Sequence, residues 1–313
     1  MGLSGAVPNL FSSMSGVLVP YLYKEYGLGV CLSVSAGLCL FSTVMCMVMI
    51  YLQRKADVHD FRLKLLIMHK ERNLESVFDR LNGTDMSVVP KNDSFKLSKI
   101  KEFQSGFWIF VVDCMLTYGM TQSSIALGST SLIDKYGWQD HQASMIITLP
   151  YTISVVAMPL IGLFVDKFGK RMTIILIAGI LNLMAHVYSL VHPDCHQCWS
   201  SVVPYVIYGL TNSVYNCIMF GAVVFLCKPY LTGTAFGVLA CFQNIGTGIF
   251  PLIVSPIVDK TGGYSYMDLT FIGVSLLSIC LKLLVNSWDS RKRGGLLDLR
   301  DVASRFEGYN NKN

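Results

Sequence analysis

Polar residues set inside long apolar stretches are where this 313-residue sequence is expected to do chemistry, because burying them costs free energy unless they pair or serve a ligand. Asp113 and Lys282 stand at similar depth in two such stretches. A carboxylate there either carries protons or is neutralised by a partner, and Lys282 favours the second reading, an intramembrane charge pair. Tyr208, Asn212 and Tyr215 follow i, i+4, i+7 spacing, with Asn216 beside them and Phe220 further along. A helix face this polar should line a cavity or a helix interface rather than lipid. Tyr118 with Gln122, one turn apart, and the neighbours Gln243 and Asn244 are further cavity candidates. For Gln243 and Asn244, hydrogen bonding between helices is an equal reading, since Gly246 and Gly248 permit close packing. Side-chain amides match backbone donors and acceptors and aromatic faces accept varied side chains, so the substrate chemistry that fits is a small peptide.

The segment His192-Pro193-Asp194-Cys195-His196-Gln197-Cys198 offers two thiolates and two imidazoles to a tetrahedral metal. One short loop can hardly wrap a metal alone, so no metal is expected there and a local disulfide or two free thiols is the reading kept. Nucleotide loops, catalytic triads and metalloprotease helices do not emerge from the sequence, so neither an enzyme nor a cofactor is expected. The basic tail is too short for nucleic-acid binding and suits attraction to anionic lipid instead. Its Leu296-Leu297 follows basic residues and does not form an acidic dileucine signal.

The elements that must position these residues are spanning helices. The chain is 52% hydrophobic and 14% charged, which excludes secreted, collagenous and disordered classes. Most of its ten cysteines sit in apolar segments as small hydrophobes rather than in a disulfide framework. Charge-poor runs long enough to cross a bilayer occupy roughly 2–23, 28–52, 107–128, 143–165, 172–191, 201–227, 233–258 and 269–288. Between the second and third lies a hydrophilic linker, 53–104, with eleven of the 25 Lys and Arg. Its part from Lys55 to Leu81 suits an amphipathic helix on the membrane surface or a solvated helical linker, and the rest has turn composition. Positive charge places the linker and both termini in the cytosol. The sequons Asn82-Gly83-Thr84 and Asn92-Asp93-Ser94 then lie where glycosylation cannot reach them.

At the end of the fourth run stands Gly162-Leu163-Phe164-Val165-Asp166-Lys167-Phe168-Gly169-Lys170-Arg171. Gly169 permits the tight turn, Lys170 and Arg171 stay on the charged side, and Asp166 is placed to meet a neighbouring helix N-terminus. A weaker copy, Pro256 to Gly263, ends the seventh run. Each copy closes the middle helix of a three-helix group, 107–191 and 201–288, and groups with an odd number of spans are inverted in the membrane, as in many secondary transporters.

With Gly162, Asp166, Lys167, Gly169, Lys170 and Arg171 as its gating motif, the sequence resembles the major facilitator superfamily. More narrowly it resembles the major facilitator superfamily domain-containing protein one family, lysosomal membrane carriers of dipeptides, through Gly233-Thr234-Ala235-Phe236-Gly237, Gln243-Asn244, Val258-Asp259-Lys260 and the segment Leu163 to Lys170. The resemblance implies an all-α polytopic fold covering helices five to twelve. Residues 1–52 then hold the last two helices of the N-terminal half, 53–104 the cytosolic central linker, 105–289 the six-helix C-terminal half and 290–313 a basic tail. It places the face of Asn212, Tyr215 and Phe220 on the central cavity and His186 on a peripheral helix, where a packed histidine is expected. It implies dipeptide transport across the lysosomal membrane by alternating access, with a heavily glycosylated accessory membrane protein as partner. The competing readings are a carrier for sugars or organic anions and a non-transporting binding or assembly subunit, because eight of twelve helices leave the chain looking like a fragment or a reduced protein.

Overall fold

The computed structural model describes residues 2–82, 97–228 and 231–298, and among these every regular element is helical. The chain divides into two compact units, Met1–Pro20 with Leu97–Asn313, and Tyr21–Lys96. Helix α1 runs Gly2–Asn82 with one non-helical residue, Gly27, whose φ of 77° and ψ of 175° suit a residue without a Cβ.

In the second unit the helix continues unbroken from Leu28 to Asn82. Lys55 to Leu81 is therefore helical and continues the apolar run without a break. The local reason is composition: no glycine or proline stands between Gly37 and Gly83 to end the helix. The turn-rich stretch from Gly83 to Asn92 lies outside the described residues, as does most of the basic tail.

The first unit holds α2 (Ser105–Ala126), the short α3 (Gly128–Asp134), α4 (Asp140–Phe168), α5 (Arg171–Val191), α6 (Val203–Leu226), α7 (Thr232–Thr261) and α8 (Ser265–Arg293). Leu18–Leu52, α4, α5, Trp199–Leu226, α7 and α8 are long and apolar enough to cross a membrane. Helix α2 falls short of that measure, although sequence reading counts it as a span. In α2 the reason is its polar series Thr117, Tyr118, Thr121, Gln122, Ser123 and Ser124, tolerable because more than half of its residues are buried against protein rather than lipid. Pro150 and Pro159 sit inside α4, and Pro251 and Pro256 inside α7. Glycines at positive φ end α7 (Gly262, 64°) and α8 (Gly294, 69°).

The most extensive packing joins α4 to α6, α2 to α7 and α5 to α8. Leaving aside the short α3, the first helix of one triplet meets the second of the other, and the two third helices meet. Such a pairing is what two inverted three-helix repeats produce. The α2–α7 crossing depends on two glycines: a Cβ on Gly119 would stand 2.7 Å from the Gly246 carbonyl carbon, and one on Gly246 would stand 2.4 Å from the Met115 carbonyl oxygen. Gly248, expected to share this role, has nothing within 4 Å of its Cβ position, so Gly246 alone of that pair sets the approach.

Candidate functional site

A cavity of about 650 Å³ opens within the first unit. Helix α2 lines it with Tyr118 and Gln122, α4 with Tyr151, α6 with Asn216 and Phe220. Helix α7 adds Phe236, Gln243 and Asn244, and the start of α1 adds Asn9 and Ser12. Tyr118 and Gln122, Asn216 and Phe220, and Gln243 and Asn244 reach it because each pair lies within one turn on a helix face turned inward.

The lining is pre-organised by amide hydrogen bonds. Tyr151 Oη donates to Gln122 Oε1 (3.1 Å), and Gln122 Nε2 donates to Asn212 Oδ1 (3.2 Å). Asn216 Nδ2 donates to the same Asn212 oxygen (2.9 Å), while Asn212 Nδ2 donates to Ser154 Oγ (3.3 Å). Gln243 is buried, and its Nε2 has no acceptor among the described residues. A buried amide donor left open on a cavity wall is stabilised by a ligand carbonyl or by water.

Three of the nine cavity candidates do not line this space. Asn212 is fully buried and acts behind the wall, fixing Gln122 and Asn216. Tyr215 is buried with Lys282 Nζ 5.6 Å from its ring centroid, and Tyr208 is buried with its hydroxyl 3.1 Å from His186 Nδ1. Their stripe faces α5 and α8, whereas the cavity lies along the edge carrying Asn216 and Phe220, so the polar face is split between an interface and a cavity. Tyr151 went unnoticed in the sequence, and Phe236 entered only as part of the family motif and not as a cavity residue, because a lone aromatic in an apolar run gives no periodic signal.

Asp113 and Lys282 meet deep between α2 and α8, with both side chains at 0% exposure. Lys282 Nζ donates to Asp113 Oδ1 (2.8 Å), to Thr117 Oγ1 (2.9 Å) and to Ser278 Oγ, so all three ammonium protons are placed. Ser278 Oγ also donates to Asp113 Oδ1 (2.6 Å). The cluster contributes no residue to the cavity wall.

His186 is buried, as expected of a packed histidine, yet it is packed against charge. Its Nδ1 lies 3.7 Å from Asp268 Oδ1, and Ser189 Oγ donates to Asp268 Oδ2 (2.9 Å). Asp268 was missed because it stands at the edge of its apolar run, in the first turn of α8, where an acid is ordinarily read as a helix start. In the loop outside the spans, Cys195 and Cys198 form a disulfide, and no cluster able to hold a metal occurs among the described residues. Burial and the nearby Asp268 push the Tyr136 phenol, in the turn after α3, up to about 12.

The motif turn has the expected glycine and an unexpected partner. Gly169 (φ 68°) caps α4 through its N–H to the Val165 carbonyl (2.8 Å), and Lys170 continues at φ 51°. Lys170 is exposed, and Arg171 is buried at the same turn, with its guanidinium 4.3 Å from the Phe225 ring centroid. The carboxylate at the start of α5 is Asp298: its Oδ1 accepts from Met172 N (2.9 Å) and its carbonyl from Lys170 N (3.2 Å), while Asp166 is exposed. A two-glycine turn after α8 permits this return, and Leu297 is buried beside it.

Residues 107–300 match the family described as Major Facilitator Superfamily. The chain is 28% identical over 310 residues to the "Lysosomal dipeptide transporter MFSD1" of Homo sapiens, covering 95% of this chain and 59% of that protein. To the protein of the same name from Danio rerio it is 27% identical over 269 residues, 86% and 52% of the two chains. To the "Inner membrane transport protein YdiN" of Escherichia coli K12 it is 24% identical over 198 residues, 62% and 46%. The chain thus spans about half the length of the curated relatives it matches. Matched over more than half of its residues, and built of helices paired as inverted triplets, the chain belongs to the major facilitator superfamily.

Proposed function

We propose that this chain is the peptide-facing part of a lysosomal membrane carrier that moves dipeptides by alternating access, without covalent chemistry. The observation that carries the reading is the open Gln243 amide on a wall otherwise made of tyrosine, phenylalanine and amide side chains. A peptide offers a carbonyl to Gln243 and side chains to Phe220, Phe236 and Tyr118, and its own N–H groups find the Asn216 and Asn244 oxygens. Likeness to proteins named lysosomal dipeptide transporters supports the substrate and the compartment. Charge asymmetry supports a cytosolic linker and cytosolic termini. The short loops on the other face carry no sequon, which suits a glycosylated membrane partner shielding that side.

The test is uptake by proteoliposomes of labelled dipeptides, hexoses and organic anions. Saturable dipeptide uptake that unlabelled dipeptide competes, and that Gln243→Leu weakens about tenfold or more, is the expected result. Hexose or organic-anion uptake untouched by dipeptide overturns the substrate reading. A folded protein that moves none of the three supports the assembly-subunit reading instead.

A further inference from the structure

Cys195 and Cys198, joined as a disulfide, are the half-buried ends of a C-x-x-C segment in the connector between α5 and α6. That connector also leads from one three-helix group to the next. Both cysteines pack against the core cluster that holds Tyr136 and Trp138, while His196 between them and Trp199 after them are exposed. The other eight cysteines belong to the helices or their ends, not to this loop, so a thiol that opens the pair is taken from solution.

The small ring sets the backbone around it. Gln197 stands at φ 52°, in the left-handed region that a residue with a Cβ seldom takes. In that conformation Gln197 N donates to the Tyr136 carbonyl (2.7 Å) and Gln197 Nε2 to the Gly137 carbonyl (3.3 Å). The Cys198 carbonyl accepts from Ser201 N (3.0 Å) and Ser201 Oγ (2.7 Å), and Trp138 Nε1 donates to that same hydroxyl oxygen (3.0 Å). Two residues of the ring thus tie the connector to the turn between α3 and α4 and to the 3₁₀ turn Trp199–Val202 that leads into α6. Once the ring is open, Gln197 can relax to negative φ, which turns its N–H away from Tyr136. A disulfide that closes so short a loop withdraws little freedom from the unfolded chain, so as a staple it contributes little. Disulfides that solution reaches are the ones that exchange with thiols.

We propose that Cys195 and Cys198 form a thiol–disulfide exchange site for a small thiol, and that reduction releases the connector from the turn between α3 and α4. One thiol attacks a sulfur of the pair: a mixed disulfide forms, the Cys195–Cys198 bond breaks, and the departing cysteine takes up the proton that the thiol gave up. A second thiol attacks the small-molecule sulfur of the mixed disulfide, leaving two cysteine thiols on the protein and one small disulfide in solution. Two electrons pass from the two thiols to the protein, and a small disulfide reverses both steps. The pair shares no residue with the cavity, and the exchange does not depend on what the cavity carries.

The test uses the full chain, purified without reductant in detergent micelles and equilibrated with mixtures of reduced and oxidised glutathione. It is alkylated while folded, the 192–198 peptide is weighed by mass spectrometry, and hydrogen exchange is followed at the Gln197 and Ser201 amides. The expected protein resists alkylation as purified, takes two alkyl groups in this peptide after millimolar thiol, and then exchanges both amides about tenfold faster or more. Gln197→Gly holds the left-handed conformation without a Cβ penalty, so its amide at 197 should respond several-fold less to reduction. The double variant Cys195→Ser, Cys198→Ser should exchange fast from the start and ignore thiol; should it not fold, the wild-type titration alone decides. Free thiols in the purified protein, a pair that millimolar thiol reduces only after unfolding, or reduction that leaves both amides protected overturns the proposal. Uptake is not the readout, so failure here leaves the carrier reading standing, and a chain that moves no peptide leaves a positive result intact.

Discussion

Removing one member of the Asp113–Lys282 pair should cost far more than removing both. Every ammonium proton of Lys282 is donated to Asp113, Thr117 or Ser278, and both side chains are fully enclosed. Asp113→Leu strands the lysine charge; Lys282→Met strands the carboxylate. Each should destabilise the fold by about 3–5 kcal/mol, the usual penalty for orphaning a buried charge. In Asp113→Leu with Lys282→Met, two apolar side chains of comparable volume replace the pair, leaving the Thr117 and Ser278 hydroxyls to each other at 2.8 Å. That double variant should lie within about 2 kcal/mol of wild type, so the cycle reports a coupling of at least about 4 kcal/mol. The measurement is the midpoint of denaturant unfolding in mixed micelles, with folded yield by size exclusion as a second readout. A double variant no better than the worse single variant would refute the pairing argument.

Other outcomes follow from the same structure. Gly246→Ala should lower folded yield sharply, because its Cβ meets the Met115 backbone, while Gly248→Ala stays close to wild type; equal effects would show that α2 and α7 do not approach at Gly246. Asp298→Ala removes the acceptor for Met172 N and should cost about 0.5–2 kcal/mol in unfolding midpoint, a loss absent from Asp166→Ala. Neither Asn82 nor Asn92 should carry glycan in cells; an endoglycosidase-sensitive mobility shift abolished by Asn82→Gln or Asn92→Gln would reverse the assigned orientation.

Spans and repeats were legible in the sequence because lipid enforces a length and an apolar composition that soluble cores do not. The cavity was legible in part. Gln122, Asn216 and Gln243 announce themselves as amides in hydrocarbon, but spacing along α6 cannot say which neighbour its polar stripe faces, and Tyr208 and Tyr215 turned out to face protein. Partners across long stretches of sequence were hidden altogether: Asp298 at the start of α5, and Asp268 beside His186, are set by tertiary packing. The helix through Lys55 was legible because its residues are helix formers whether apolar or charged, whereas its continuity with the preceding apolar run was not.

The reach of the buried charge pair has a consequence for how the protein is made. Lys282 follows Asp113 by 169 residues. At about 5–20 residues per second, a ribosome needs roughly ten to thirty seconds to supply the lysine after the aspartate has emerged. An unpaired charge in lipid is costly throughout that interval. Helix α2 must therefore wait in a wet or protein-shielded berth, at the insertion machinery or under an intramembrane chaperone, until α8 arrives. Completion of the bundle is then an event that follows the last helix rather than accompanying the first, and cells short of such a holding site should degrade this chain before it is finished.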